Sequence, residues 1–488
     1  MSDALDVLIV GAGLSGVGMA CHLQRRCPWA RYAILEARGR LGGTWDLFRY
    51  PGVRSDSDMF TLGYAFRPWT QSKAIADGPS ILEYVSETAA EHGVDKRIAF
   101  GTKVVSASWN SAKGLWTVEA ERGGEKVAYA ARFLSICAGY YRYDRGYFPE
   151  FAGLSDFAGR VVHPQFWPAD LDYAGRRVLV IGSGATAVTI VPEMAKTAAS
   201  VTMLQRSPTY MVARPSEDAL ANKLRAALPA GLAYKLTRLR NVLQAMYFYK
   251  LFRKYPEKSK QRLLDLARPE LGPGADLADF TPRYNVWDQR LCLVPDADFF
   301  HAVRDGAAQV VTDEIETFTR DGVRTKSGRT LEADIVVVAT GLELNVLGDV
   351  AFSVDGAPVD FARRRVYKSC MYERVPNLVS VFGYTNSSWT LKADLISGYA
   401  CRLLNFLHER GVSSATPPAA EGETAEPALE LTSGYVQRAA ARLPKQGAHP
   451  PWRVYQNYAS DVRLLRFGRI DDGVLEFAPA AAARLAAE

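Results

Sequence analysis

Val7-Leu-Ile-Val10-Gly11-Ala-Gly13-Leu-Ser15-Gly16 opens the chain with an apolar run that passes straight into a G-x-G-x-x-G turn. The run reads as a buried strand, and a helix is expected from about Ser15 to Arg25. Strand, glycine turn and helix in this order form the first half of a Rossmann-type α/β unit that binds a dinucleotide. Gly11 allows the tight turn, Gly13 lets the backbone approach a pyrophosphate, and Gly16 lets helix and strand pack closely. The helix amino terminus then offers free N–H groups and the positive end of its dipole. A second strand, Tyr32 to Leu35, ends at Glu36, where a carboxylate accepts hydrogen bonds from ribose hydroxyls. The same carboxylate repels a 2′-phosphate, so this site suits FAD or NAD.

The plan is repeated at Arg177-Val-Leu-Val-Ile-Gly182-Ser183-Gly184-Ala185-Thr186-Ala187. The strand after it, Ser200 to Leu204, leads to Gln205-Arg206-Ser207. Arg206 therefore stands where Glu36 stands in the first unit. A guanidinium fork pairs well with a 2′-phosphate, so the second site suits NADP. Two unlike dinucleotide sites in one chain imply electron flow from NADPH to a flavin.

A chain of 488 residues is long enough for two or three domains. Hydrophobic residues at 48% and charged residues at 23% describe an ordinary soluble protein. The net charge of +6 is mild and calls for no nucleic-acid partner. Six scattered cysteines, without C-x-x-C, exclude a paired metal site and read as free thiols in a reducing compartment. The amino terminus carries acids where a signal peptide has bases, and no run approaches the roughly 20 apolar residues of a membrane span. A cytoplasmic location is expected.

Between the glycine turns, Ser80-Ile-Leu-Glu83 reads as a capping box for a short helix ending near Gly93. Strands follow at Lys103–Trp109, Leu115–Glu121 and Val127–Ala131, with a separate one at Phe133–Gly139. Residues 215–280 are basic and lose all strand signals. Leu232, Leu236, Leu239, Leu243 and Met246 recur there at helical spacing and predict amphipathic helices. Such a basic helix admits weak peripheral association with a membrane surface, without stable insertion. Strands near Thr312–Arg320 and Gly322–Lys326 lead to Asp334-Ile-Val-Val-Val-Ala-Thr340-Gly341, a buried strand and turn. A helix runs to about Glu409, Asp472-Gly473 is expected to close a late hairpin, and the alanine-rich tail is expected to be disordered.

Phe157-Ala-Gly-Arg-Val-Val-His163-Pro-Gln-Phe-Trp167-Pro168, read as F-x-G-x-x-x-H-x-x-x-W-P, resembles the fingerprint of Baeyer–Villiger monooxygenases, the ketone-oxidising class B flavoprotein monooxygenases. Hydroxylating relatives usually carry Tyr at the Trp167 position. Leu41-Gly-Gly43-Thr-Trp45-Asp-Leu-Phe-Arg-Tyr50-Pro-Gly-Val-Arg54-Ser-Asp56 resembles a second family signature. Trp287-Asp-Gln289-Arg290-Leu-Cys-Leu-Val-Pro and Tyr384-Thr-Asn are similar to the ethionamide-activating branch. The resemblance implies FAD in the first site and NADPH in the second. It implies that Gly43, Thr44, Trp45, Asp46, Arg54 and Val104 contact FAD, with Asp56 near its reactive edge. Arg290 falls at the family's catalytic arginine, and Gln289 replaces the lysine many members use on the 2′-phosphate. His163 and Trp167 would couple the two nucleotide domains, a helical lobe would help roof the substrate cavity, and Trp389 is a candidate cavity wall.

The implied reaction converts a ketone and O2 to an ester or lactone through a C4a-peroxyflavin, with oxidation of thioethers or thioamides at the same intermediate. An S- or N-oxygenase whose physiological substrate is not a ketone stays open as the alternative. The expected domains are an FAD domain in two parts (1–145 and 333–488), an NADP domain inserted in it (146–213 and 286–332), and a helical insert (214–285).

Overall fold

A computed structural model describes residues 4–479; the alanine-rich tail at 480–488 lies outside the described residues. Two sheets, the first mixed and the second all parallel, present the two glycine turns in the same way. In the first, Leu5–Val10 lies between Tyr32–Leu35 and the end of Glu125–Ile136, which also pairs in parallel with Leu378–Ser380. In the second, the order is Ala308–Thr312, Ser200–Gln205, Arg177–Ile181, Ile335–Val338 and Arg160–Val162, all parallel.

The repeat extends to individual hydrogen bonds. Gly11 N donates to Leu35 O at 2.8 Å, and Gly182 N donates to Leu204 O at 2.9 Å. A Cβ on Gly11 would lie 2.5 Å from Cys137 O, and one on Gly182 would lie 2.3 Å from Ala339 O. Both residues also take positive φ, +102° and +134°. Each turn therefore requires glycine twice over, for conformation and for space.

Ile335–Val338 corrects a domain boundary. The strand expected to return the chain to the first domain sits inside the second sheet, paired with Arg177–Ile181 on one side and Arg160–Val162 on the other. Every residue of Ile335–Val338 is buried, as a central parallel strand requires. The chain thus leaves the second domain after Thr340 and not at 332.

The antiparallel meander is present as Thr102–Asn110, Leu115–Arg122 and Glu125–Ile136. The last of these is one 12-residue strand and not two. Its first half mixes exposed and half-buried residues against Leu115–Arg122, and its second half enters the two-sided core beside Leu5–Val10. The helix Gly78–Glu91 starts earlier than the Ser80 box suggests. Asp77 is its cap, accepting from Ser80 N at 2.8 Å, and Pro79 occupies the first turn. Asp472-Gly473 closes no hairpin: Glu476–Pro479 pairs with Val412–Thr416, and Asp472 holds Tyr367 and Lys368.

The helical insert comprises Ala219–Ala227, Ala230–Lys254 and Pro256–Leu271. Its long helix buries the opposite face from the one expected. Ala233, Tyr234, Thr237, Arg238 and Val242 are inside, while Leu232, Leu236, Leu239 and Leu243 are 42–56% exposed. The reason is polar. Arg238 donates to the carbonyls of Phe60, Thr61 and Gly63 at 2.7–3.2 Å and pairs with Asp394 at 3.3 Å. Tyr234 donates to Tyr64 O at 3.0 Å. Those buried carbonyls would otherwise lose their partners, which outweighs exposing a leucine stripe.

Among the described residues no helix is long and apolar enough to cross a membrane, and no group of side chains could hold a metal ion. The six cysteines are all buried and free.

Candidate active site

A cavity of about 1240 Å³ runs between the two glycine turns. From the first domain it is lined by Gly11, Gly13, Ser15, Glu36, Gly43, Thr44, Trp45, Arg54, Asp56 and Val104. From the second come Gly182, Ser183, Gly184, Ala185, Thr186, Arg206, Ser207, Gln289 and Arg290, and Trp389 closes one wall. Five expected residues lie elsewhere. Gly16 and Ala187 are buried helix–strand contacts; a Cβ on Gly16 would lie 1.9 Å from Gly11 O. Asp46 is buried and spends its carboxylate on Arg38, Arg40 and Arg49, so it anchors the loop without lining the cavity. His163 and Trp167 lie just after Arg160–Val162 and do not line the cavity.

The first turn fits a dinucleotide. The helix Leu14–Arg26 has Gly13 as its cap with no side-chain hydrogen bond, which leaves its first N–H groups unclaimed by side chains. Glu36 accepts from Ala12 N at 2.7 Å and from Arg38 N at 2.9 Å, which aims the carboxylate and leaves lone pairs for a diol. Burial raises its pKa, against these two N–H bonds. The second turn has the same form. Gly184 caps Ala185–Met194 without a side chain, and nothing lies within 4 Å of a Cβ built on it. Ser183 Oγ donates to Ser207 O at 2.9 Å, tying the turn to the Arg206 loop. Arg206 is exposed and, among the described residues, forms no ion pair.

Arg290 donates to Asp56 inside the cavity. The competing acids are otherwise engaged: Asp288 pairs with Arg253 at 2.6 Å, and Asp298 pairs with Arg54. Burial acts against the Arg290 charge, yet Tyr140, Asp56, Tyr435 and Tyr141 hold its pKa well above the usual arginine range. Trp287, three residues before it, takes φ +73° and packs edge-on against Tyr249 of the long helix.

Several lining residues were not anticipated. Tyr140, Tyr141 and Tyr143 follow the strand that ends at Ile136; Tyr140 stacks on Trp389 at 4.9 Å, and Trp389 Nε1 donates to Ser15 Oγ at 2.8 Å. Burial pushes the Tyr140 phenol up to about 12. Three tyrosines in four positions after a buried strand are a visible signal. Tyr435 and Arg438 had none, because residues 434–439 reach the cavity only through tertiary packing. The helical lobe, expected to help roof the cavity, supplies no lining residue among those described.

The fingerprint residues lie beside the site. A Cβ on Gly146 would meet the His163 ring at 2.0 Å, and Gln165 Nε2 donates to Arg142 O at 2.7 Å, so this stretch grips the linker between the sheets. Burial lowers the His163 pKa against contacts with the Tyr147 and Gly341 backbone. Trp167 packs on the core of the second domain.

Residues 9–76 match an NAD(P)-binding Rossmann-like domain and residues 74–255 a flavin-binding monooxygenase-like family. The chain is 52% identical over 481 residues to the FAD-containing monooxygenase EthA of Mycobacterium tuberculosis, covering 98% of each. It is 47% identical over 481 residues to the probable FAD-binding monooxygenase AlmA of Acinetobacter baylyi, covering 98% of this chain and 97% of that one. Its fold matches an oxidized steroid monooxygenase bound to NADP (TM-score 0.77, 21% identity, 98% of this chain and 100% of that one). It also matches cyclohexanone monooxygenase from Rhodococcus sp. Phi1 bound to NADP+ (TM-score 0.77, 19% identity, 98% and 99%). With both glycine turns opening on one cavity and near-complete coverage at this identity, the chain belongs to the FAD-containing monooxygenase family.

Proposed function

We propose that this monooxygenase consumes NADPH and O2 to convert ketones to esters or lactones, and that it also oxidises thioethers and thioamides to S-oxides. FAD belongs at the Gly11 turn and NADPH at the Gly182 turn, with Arg206 as the 2′-phosphate partner. Together they would supply an activated oxygen atom from O2. The observation that carries the reading is the Arg290–Asp56 pair within the cavity that joins the two turns.

Oxygen insertion next to a carbonyl builds negative charge on the carbonyl oxygen. Arg290 meets that charge with a guanidinium that keeps its proton at any physiological pH, so it stabilises an anion without quenching it. Asp56 orients the guanidinium and offsets its charge before substrate arrives. Arg54 and Asp298 form a second ion pair between the same two segments, holding them in register. Tyr140 and Trp389, stacked at 4.9 Å, form an apolar wall that excludes water from the reacting side. The names of the fold neighbours, a steroid monooxygenase and cyclohexanone monooxygenases, agree with a cyclic ketone as a first trial substrate.

The test is product analysis with NADPH, O2 and a panel of ketones and thioethers. Ester or lactone from at least one ketone is expected. Sulfoxide without any ester across the panel would replace the reading with an S-oxygenase whose substrate is not a ketone.

A further inference from the structure

The leucine stripe of Ala230–Lys254 faces away from the protein and from the cavity. Leu232, Leu236, Leu239, Leu243 and Tyr247 are 46%, 42%, 56%, 55% and 62% exposed. At 100° per residue they share one side of the helix, and Lys250 and Lys254 continue that side toward its carboxyl end. The helix is about 37 Å long at 1.5 Å per residue. Between 230 and 254 the sequence holds six cations and no acid. Arg238, Arg240 and Arg253 are committed to Asp394, Asp218 and Asp288. Lys235, Lys250 and Lys254 are exposed and, among the described residues, form no ion pair.

We propose that this face docks on an anionic lipid bilayer, with the leucines and Tyr247 at the headgroup–acyl boundary and Lys235, Lys250 and Lys254 on lipid phosphates. Lone exposed leucines are common; a continuous stripe on a helix whose charges are all positive is the pattern of a helix lying in an interface. Lysine side chains beside it place their stems along the apolar layer and their ammonium groups in the headgroups. Charge decides against a second copy of the chain as occupant. The leucine spacing suits a coiled-coil seam, but two acid-free helices would bring lysines together without a carboxylate to pair them. The inner face of the same helix grips Phe60, Thr61 and Gly63, just beyond Asp56. Docking by the outer face therefore leaves the cavity lining free.

The FAD-loaded protein is sedimented with vesicles of phosphatidylcholine alone and of phosphatidylcholine mixed with phosphatidylglycerol. It is expected to pellet with the anionic vesicles and to stay in solution with the neutral ones. Leu239→Asp/Leu243→Asp is expected to abolish pelleting with an unchanged flavin spectrum. Lys250→Glu/Lys254→Glu, which leaves the stripe intact, is expected to lower the partition coefficient by at least about ten-fold at low salt. Failure of the unaltered protein to pellet with anionic vesicles, or pelleting of both variants to the same extent as the unaltered protein, overturns the proposal. So does a lipid-free dimer that the leucine variant breaks, since a second copy would then occupy the face.

Discussion

Arg290 donates to Asp56 although 234 positions separate them in the chain, and the pair bridges the two nucleotide-binding units. Arg54 and Asp298, 244 positions apart, form a parallel bridge between the same two segments. The segment that carries Asp56 belongs to the first domain by chain order, yet its Tyr50 and Val53 pack in the core of the second. Residues around 48–56 thus tie the two turns together, and the Arg290 guanidinium sits at that junction.

Arg290→Ala is expected to leave flavin reduction by NADPH within a few-fold of normal and to lower ester formation by about 10²–10³, the usual cost of losing one stabilising donor. Arg290→Lys is expected to restore little, because an ammonium cannot reproduce the planar fork. Anaerobic stopped-flow absorbance measures the first step and chromatography of products the second. Normal ester yield from the alanine variant would exclude Arg290 from the chemistry.

Arg206→Ala is expected to raise KM for NADPH by about ten- to a hundred-fold, the worth of hydrogen bonds to a charged group, with KM for NADH nearly unchanged. Arg206 forms no ion pair among the described residues, so its removal leaves no buried acid behind. Steady-state kinetics with both nucleotides decide it, and equal losses would assign the 2′-phosphate elsewhere.

Much of this architecture was legible because local rules and tertiary structure agree. Gly11 and Gly182 each need positive φ and the absence of a Cβ, and Glu36 and Arg206 both follow directly on a strand, so spacing alone locates them. The errors arise where a distant partner decides. Ile335–Val338 reads as an apolar strand in any context, and nothing local says which sheet receives it. The leucines of Ala230–Lys254 form the better apolar face, but Arg238 meets three buried carbonyls that sequence periodicity cannot see. Asp46 matches a flavin-contacting pattern, yet three arginines claim it. Tyr435 lines the cavity through contacts between segments far apart in the chain, among them Thr432 N donating to Asp288 O at 2.9 Å and Val436 and Ala439 packing with Leu344.

Arg238→Met is expected to destabilise the protein by about 3 kcal/mol or more, since it strips partners from the Phe60, Thr61 and Gly63 carbonyls and leaves Asp394 short of a cation. Shorter hydrogen-exchange protection at residues 59–63 should accompany a lower denaturation midpoint. An unchanged midpoint would show that the helix is held mainly by apolar packing.

Asp394 sets an acid limb. Burial acts against its charge, but His22, Arg238 and the Ala65 N–H hold its pKa below the ordinary aspartate range. A depressed folded-state pKa contributes stability above the unfolded value, about 3.9, and loses it as pH falls through the folded value. Asp394→Asn should therefore lower the thermal midpoint at pH 7, and the gap from the parent should close as pH drops below about 4. A gap that stays constant down to the lowest pH reached would mean that the carboxylate charge contributes nothing.

Gly52→Ala tests whether the 48–56 segment transmits placement to the second glycine turn. Gly52 takes φ +75°, and a Cβ there would lie 3.0 Å from Glu193 Cβ and 3.1 Å from Thr189 O. Both neighbours belong to the helix Ala185–Met194, which begins at the second glycine turn. The left-handed conformation costs an alanine about 1 kcal/mol, and relief of the contact requires the helix or the loop to move. FAD binding should persist, because Gly11, Gly13 and Glu36 are untouched, while KM for NADPH rises by several-fold. The flavin absorbance band and KM for NADPH are the two readings. A rise in KM without loss of flavin is the expected pattern, and an unaltered KM would mean that the loop and the second turn are mechanically independent.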